Sequence, residues 1–173
     1  LWRLDEDLIK LMKKSGCYEL TLAFESGDPY VLRHIVKKPL DLDRAAYLTR
    51  VIQDEGIATH SFFICGFPGE TLEQVKNTFR YARRVSPDSA LFFIATPLPG
   101  TELYEIASQN GYLRPGFDFT TMNYFTPWMD TPEWNGDELR ELVYKQFFLH
   151  NLRLSWKSPR KFWWKYFYIC LLY

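Results

Sequence analysis

Leu4, Leu8, Leu11 and Met12 recur at the spacing of one helix face. Asp5, Glu6 and Asp7 open that stretch, Lys13 and Lys14 close it and Gly16 follows, an order that suits the helix dipole and a glycine stop. Tyr18 to Phe24 then alternates as a strand, with Tyr18, Leu20, Leu22 and Phe24 on one face. Glu25, Ser26 and Gly27 end it, and Asp28 before Pro29 caps a short helix predicted over residues 29–36. The same order returns twice. Leu48, Val51 and Ile52 give a helix stopped by Gly56, and Ile57 to Cys65 a second strand. Thr71 and Gln74 have capping-box spacing ahead of the face formed by Leu72, Val75, Phe79 and Ala82. Ser89 to Ala95 is apolar on both faces, as in a buried parallel sheet, and Thr101 caps a helix ending near Gly111. Three strand–loop–helix units with right-handed crossovers predict an α/β fold, as an open parallel sheet or a barrel segment.

Beyond residue 112 the pattern changes. Residues 117–141 hold six acids and one Arg among Pro127, Trp128, Pro132 and Trp134, and read as irregular. From Leu142 onward there are six Lys or Arg, no acids and 11 of the chain's 31 aromatics, which predicts helices over 137–157 and 160–173, broken at Ser158 and Pro159. The 173 residues are 47% hydrophobic and 24% charged, in the range of one packed domain. Zero formal net charge gives no electrostatic reason to expect a nucleic-acid partner. Cys17, Cys65 and Cys170 lie far apart and are odd in number, which argues against a disulfide framework and for a reducing, cytoplasmic compartment. No signal peptide and no 18-residue apolar run is evident. A first residue Leu1 and an apolar final stretch, ICLLY, read as a piece of something longer.

In parallel α/β folds ligands gather at the carboxyl ends of the strands, where loops vary freely and helix N-termini point donors at them. Here those ends read ESG, GFPGET and TPLPGT. Each combines small residues, which allow close approach to the backbone, with a nearby proline that stiffens the loop. No Lys follows Gly69, and the spacing matches neither GxxxxGK[ST] nor GxGxxG, so a phosphate loop is excluded.

The order GCYELTLAFESGDPYVL, GIATHSFFICGFPGET, LFFIATPLPGTELYE resembles the second half of the radical S-adenosylmethionine barrel, in the branch whose members often carry an upstream cobalamin-binding domain. The resemblance implies that residues 1–115 form strands four to six of a partial (β/α)6 TIM-like barrel, with 116–173 a linker and aromatic-rich helical tail. It implies that Glu25 and Ser26 hydrogen-bond the ribose or methionine part of S-adenosylmethionine. Ile64, Gly66 and Pro68 would lie along the adenine, Ala95, Thr96 and Pro97 would offer backbone groups to its edge, and Glu70 would fix its loop. The motif often written for the fifth strand, GxIxGxxE, is departed from: Phe62 stands at the first Gly, and Glu70 lies four residues after Gly66. The family's CxxxCxxC, three thiolates for a [4Fe–4S] cluster, has no counterpart in these residues. The implied activity of the whole protein is reductive cleavage of S-adenosylmethionine, acting on a small-molecule substrate with a reductant protein, and with cobalamin where an upstream domain holds it. This chain would supply only part of the nucleoside pocket.

Other candidates have plainer readings. Cys17 and Cys65 read as buried structural thiols, and His34, His60 and His150 lack partners at metal-ligand spacing. Glu19 and Thr21 would meet substrate if their strand face lines a barrel interior. Lys37 and Lys38 read as solvated, with contact to a ligand carboxylate as the alternative. KFWWKYFYICLL fits a helix packed across the barrel, an interfacial helix giving peripheral membrane contact through residues 159–173, or stacking on nucleic acid. Two competing functions stay open at this point. One is a non-catalytic interaction or membrane-surface module; the other is a different α/β barrel enzyme with Glu25 and Glu70 as an acid/base pair.

Overall fold

A computed structural model describes residues 3–38 and 40–157. Strands β1 (Glu19–Glu25), β2 (Ala58–Cys65) and β3 (Ser89–Ile94) form one parallel sheet in that spatial order. Helices α1 (Glu6–Lys14), α2 (Leu42–Asp54), α3 (Leu72–Val85) and α4 (Glu102–Gln109) alternate with them, and α5 (Gly136–Lys157) follows. The capping box predicted at Thr71 and Gln74 and the cap predicted at Thr101 are present, and Asp5 and Asp41 cap two further helices. Asp5 accepts from Leu8 N at 2.8 Å, and Thr71 and Gln74 close a reciprocal box at the start of α3. Asp41 Oδ1 caps α2 through Asp43 N and Arg44 N. The predicted helix over 29–36 is present, but Val31–Ile35 is wound as a π-helical turn and Lys37 leaves it with φ +57°.

All helices that touch the sheet cover one face. On it Phe24, Phe63 and Phe92, one from each strand, stack with ring centroids 5.4 and 5.1 Å apart. Phe79 of α3 closes on Phe92 at 4.1 Å, and Tyr81 meets Phe24 edge-on. Fully burying each ring stabilises by about 1.5–3 kcal/mol, with about 0.5–1.5 more for each well-placed pair. Register is continuous from His60↔Ser89 to Cys65↔Ile94, and breaks between Ala23 and Glu25.

The region after residue 112 packs back on the sheet and its helices. Asp130 N donates to Tyr112 O, Arg114 N to Trp128 O, and Arg114 pairs with Asp130 and Asp137. Ile94 N donates to Tyr124 O, so the free edge of β3 is partly paired. Helix α5 lies against α3 and β3, burying Leu139, Val143 and His150. Among the described residues no helix is long and apolar enough to cross a membrane. The predicted second tail helix and the membrane contact through 159–173 fall outside the described residues.

His150 is fully buried against the Phe92 ring, and neither ring nitrogen has a hydrogen-bond partner among the described residues. Burial, aided by the charges of Arg83 and Arg153, pushes its pKa from 6.5 down to about 4. A base depressed in this way supplies stability that is present above its unfolded pKa and lost as pH falls through the folded one. Relative to His150→Leu, the wild type should therefore lose up to about 3 kcal/mol between those two pH values, measured as denaturant midpoints at stepped pH.

Candidate functional site

Because the strands are parallel and adjacent, their carboxyl ends lie side by side at one end of the sheet. At the end of β1, Glu25 has φ +65° and Ser26 N donates to Phe24 O at 2.9 Å, a three-residue turn set at the register break. A non-glycine residue held there carries about 1–3 kcal/mol of strain, which the surrounding packing must offset. The Glu25 carboxylate is half-buried, and Lys38 Nζ donates to its Oε1 at 3.0 Å and to Ala23 O at 2.7 Å. Lys38 is thus paired rather than solvated. Ser26 points the other way: it is fully buried, 3.0 Å from the Thr78 hydroxyl on α3. Gly27 N donates to that same hydroxyl, and a Cβ on Gly27 would come within 2.4 Å of Tyr81 Cβ. The small residues of ESG therefore let helix α3 approach the strand end.

The end of β2 is organised by Glu70. Its side chain is fully buried, and Oε2 accepts from Gly66 N at 2.6 Å and Phe67 N at 3.1 Å, while Oε1 has no partner among the described residues. Desolvation outweighs those two donors and lifts the pKa from 4.5 to about 7, with the Asp28 charge adding to the rise. Trp134 Nε1 donates to Glu70 O at 2.9 Å, and a Cβ on Gly66 would stand 2.3 Å from Leu139 of α5. The Gly66–Glu70 turn is thus covered from one side by the chain after residue 128. Sequence reasoning treated that stretch as irregular; its one usable signal was Asn135 before Gly136, whose side chain accepts from Glu138 N and caps α5. Burial also raises the Cys65 thiol well above its ordinary range.

Beyond β3, Ala95 N donates to Cys65 O at 2.9 Å, and the half-buried Thr96 closes on Ile94 O through its hydroxyl. Pro97 is buried. Lys37 Nζ reaches Glu102 at 2.5 Å, joining the loop after β1 to the start of α4 beyond β3. The two outer loops therefore meet near the end of the middle strand.

Among the described residues the other sheet face carries no helix. It presents Glu19, Thr21 and Ala23 from β1, His60, Phe62 and Ile64 from β2, and Ser89, Leu91 and Phe93 from β3. His60 joins Glu19 at 2.9 Å through Nε2 and the Ser89 hydroxyl through Nδ1, a polar row across the strand starts. Phe62 and Phe93 meet edge-on above it, with Tyr124 and Phe125 against Phe93.

Residues 2–82 match the family model described as the Radical SAM superfamily, SAM being S-adenosylmethionine. The chain belongs to that superfamily. It is 38% identical over 152 residues to cytidylyl-2-hydroxyethylphosphonate methyltransferase of Streptomyces wedmorensis, covering 84% of this chain and 28% of that protein. Two solved structures share the fold. The radical SAM enzyme coproporphyrinogen III oxidase (HemN) of Escherichia coli aligns with a TM-score of 0.58 at 19% identity, over 83% of this chain and 29% of that one. The radical SAM methyltransferase TsrM of Kitasatospora setae, solved with tryptophan and a SAM analogue, gives 0.57 at 23% identity over 75% and 25%. The three parallel βα units are thus a segment of a radical SAM barrel, whose helix-free sheet face is the interior.

Three chemistries meet the residues present differently. A cluster does not fit: the chain has three scattered cysteines, and no group of metal-capable side chains gathers among the described residues. An acid/base pair of Glu25 and Glu70 does not fit either, because Glu70 is sealed under the turn it holds. An adenosyl group does suit the strand ends. Glu25 Oε2 has no partner among the described residues, and Ile64, Phe67, Pro68 and Thr96 are half-buried beside it along one sheet end.

A raised carboxyl pKa supplies stability that is full below about pH 4.5 and lost as pH rises through about 7, opposite in sign to His150. Between about pH 4.5 and 6.5 the two should largely cancel in the wild type. Glu70→Gln should then leave stability rising with pH, and His150→Leu should leave it falling, by denaturant midpoint. Glu70→Ala, which strands two buried N–H groups, should cost about 2 kcal/mol or more.

Proposed function

We propose that this chain supplies one side of the SAM pocket of a radical SAM enzyme. The whole protein would deliver one electron to the sulfonium of SAM, giving methionine and a 5′-deoxyadenosyl radical that acts on a small-molecule substrate. A [4Fe–4S] cluster, supplied with electrons by a reductant protein, would provide that reducing power, and its ligands are not among these residues. The observation that carries the reading is the strand-end geometry: three adjacent parallel ends, with one Glu25 oxygen pinned and the other open.

Within that pocket each residue has a distinct task. Glu25 accepts from the ribose hydroxyls or the methionine ammonium, a carboxylate being able to serve two donors at once. Ser26 acts through its position, since its hydroxyl is committed to Thr78. Ile64, Gly66 and Pro68 form an apolar wall for the adenine, and Glu70 keeps that wall in shape from below. Ala95, Thr96 and Pro97 meet the adenine edge with backbone carbonyls; the Ala95 N–H is already used by Cys65. Phe62, Leu91 and Phe93 face the barrel interior, where a substrate would sit.

Methyl transfer is among the outcomes in view, because relatives of this chain are named methyltransferases. Cobalamin, held by an upstream domain, belongs to the same proposal and rests on the family branch. A reducing, cytoplasmic setting fits an oxygen-sensitive cluster and the free Cys17 and Cys65.

In the complete protein, Glu25→Ala should weaken SAM binding roughly tenfold to a hundredfold, the value of one or two hydrogen bonds to a charged group. Equilibrium dialysis with labelled SAM measures this; wild-type affinity would contradict the assignment of the β1 end.

A further inference from the structure

Sequence pattern read Lys38 as solvated, with contact to a ligand carboxylate as the alternative, yet its amine is held by two acceptors of the chain itself. The nitrogen donates to Ala23 O at 2.7 Å and to Glu25 Oε1 at 3.0 Å, so it grips the last turn of β1 at two points. Its own backbone is anchored as well. Lys38 N donates to Leu32 O at 2.8 Å, closing the π-helical turn, and the preceding Lys37 adopts a left-handed φ of +57° with its side chain on Glu102. A non-glycine residue in that region persists only where its surroundings over-determine it. Both positive-φ residues here, Glu25 and Lys37, belong to the two segments that the Lys38 amine ties together.

A free glutamate side chain must be ordered when a ligand binds it, and the ordering entropy is taken from affinity. Here the lysine orders it in advance. Because only Oε1 is engaged, Oε2 stays available, and the ammonium compensates the carboxylate as a ligand strips away its water. We infer that Lys38 is a positioning residue of the SAM pocket, acting through Glu25 to present Oε2 in a single orientation. This rests on the reading of Glu25 given above. The left-handed turn at Glu25, the π-helical turn and the lysine pair together form one device for aiming a carboxylate.

The test uses the complete protein and two ligands, SAM and 5′-deoxyadenosine, which share the ribose but not the amino acid. Lys38→Met should weaken SAM binding roughly tenfold by equilibrium dialysis, with the ligand-free melting temperature unchanged. Lys38→Arg should restore most of the loss, because a guanidinium can still donate to both acceptors. Across the two ligands, Lys38→Met should reproduce the pattern of losses given by Glu25→Ala. If Lys38→Met lowers the melting temperature, Lys38→Gln, which keeps a donor without the charge, carries the same comparison. Loss with Glu25→Ala but wild-type binding with both lysine variants overturns the inference and leaves the Glu25 reading standing. Loss confined to SAM in Lys38→Met, where Glu25→Ala loses both ligands, also overturns it, since the lysine would then be a direct partner of the amino-acid end. Wild-type binding in Glu25→Ala removes the pocket reading itself, and the inference with it.

Discussion

Parallel strands have no hairpins to align them, so their register depends on what packs across them. In this chain that constraint is the row of Phe24, Phe63 and Phe92, one ring per strand, closed by Phe79 and Tyr81 from α3. The row fixes the strands relative to each other on the helix-covered face. Their ends on the far side then fall next to one another without further instruction. The placing of Glu25, Gly66 and Thr96 in one neighbourhood is a consequence of aromatic packing some residues away.

What happens at those ends is a division between groups that serve the fold and groups left over for a ligand. Gly27 and Gly66 have given up side chains to admit α3 and Leu139, Ser26 is bound to Thr78, and Glu70 has spent one oxygen on two backbone N–H groups. Two carboxylate oxygens are left without a partner among the described residues: Glu70 Oε1, sealed beneath the turn, and the second oxygen of Glu25, which stays within reach of a ligand. A raised pKa at Glu70 follows from the same arrangement, since a carboxylate sealed beneath a turn has only those two donors to offset its burial. It marks a structural role, although perturbed carboxyls in clefts often mark catalytic ones.

Much of this was legible in the letters. Caps at Thr71 and Thr101, alternation in Tyr18 to Phe24 and the three Gly- and Pro-bearing strand ends are local signals, and local hydrogen bonding determines their outcome. The role of Glu70 as a loop brace was also readable. Three features were not. The direction of the Ser26 hydroxyl depends on a helix 52 residues later in the chain. The pairing of Lys38 with Glu25 depends on a π-helical turn that ordinary helical spacing does not announce. The docking of Trp134 and Leu139 onto the second strand end joins residues more than 60 positions apart through a segment lacking periodicity. Each is tertiary, and each bears on the pocket.

The proposed function requires one adenosyl group to contact all three strand ends. Hydrogen exchange on the complete protein, with and without saturating SAM, tests it directly. Amides of residues 25–28, 66–70 and 95–98 should slow together on binding, while those at the strand starts, near residues 17–19, 57–59 and 87–89, should not. Protection at only one of the three ends, or at the starts instead, would contradict a shared pocket.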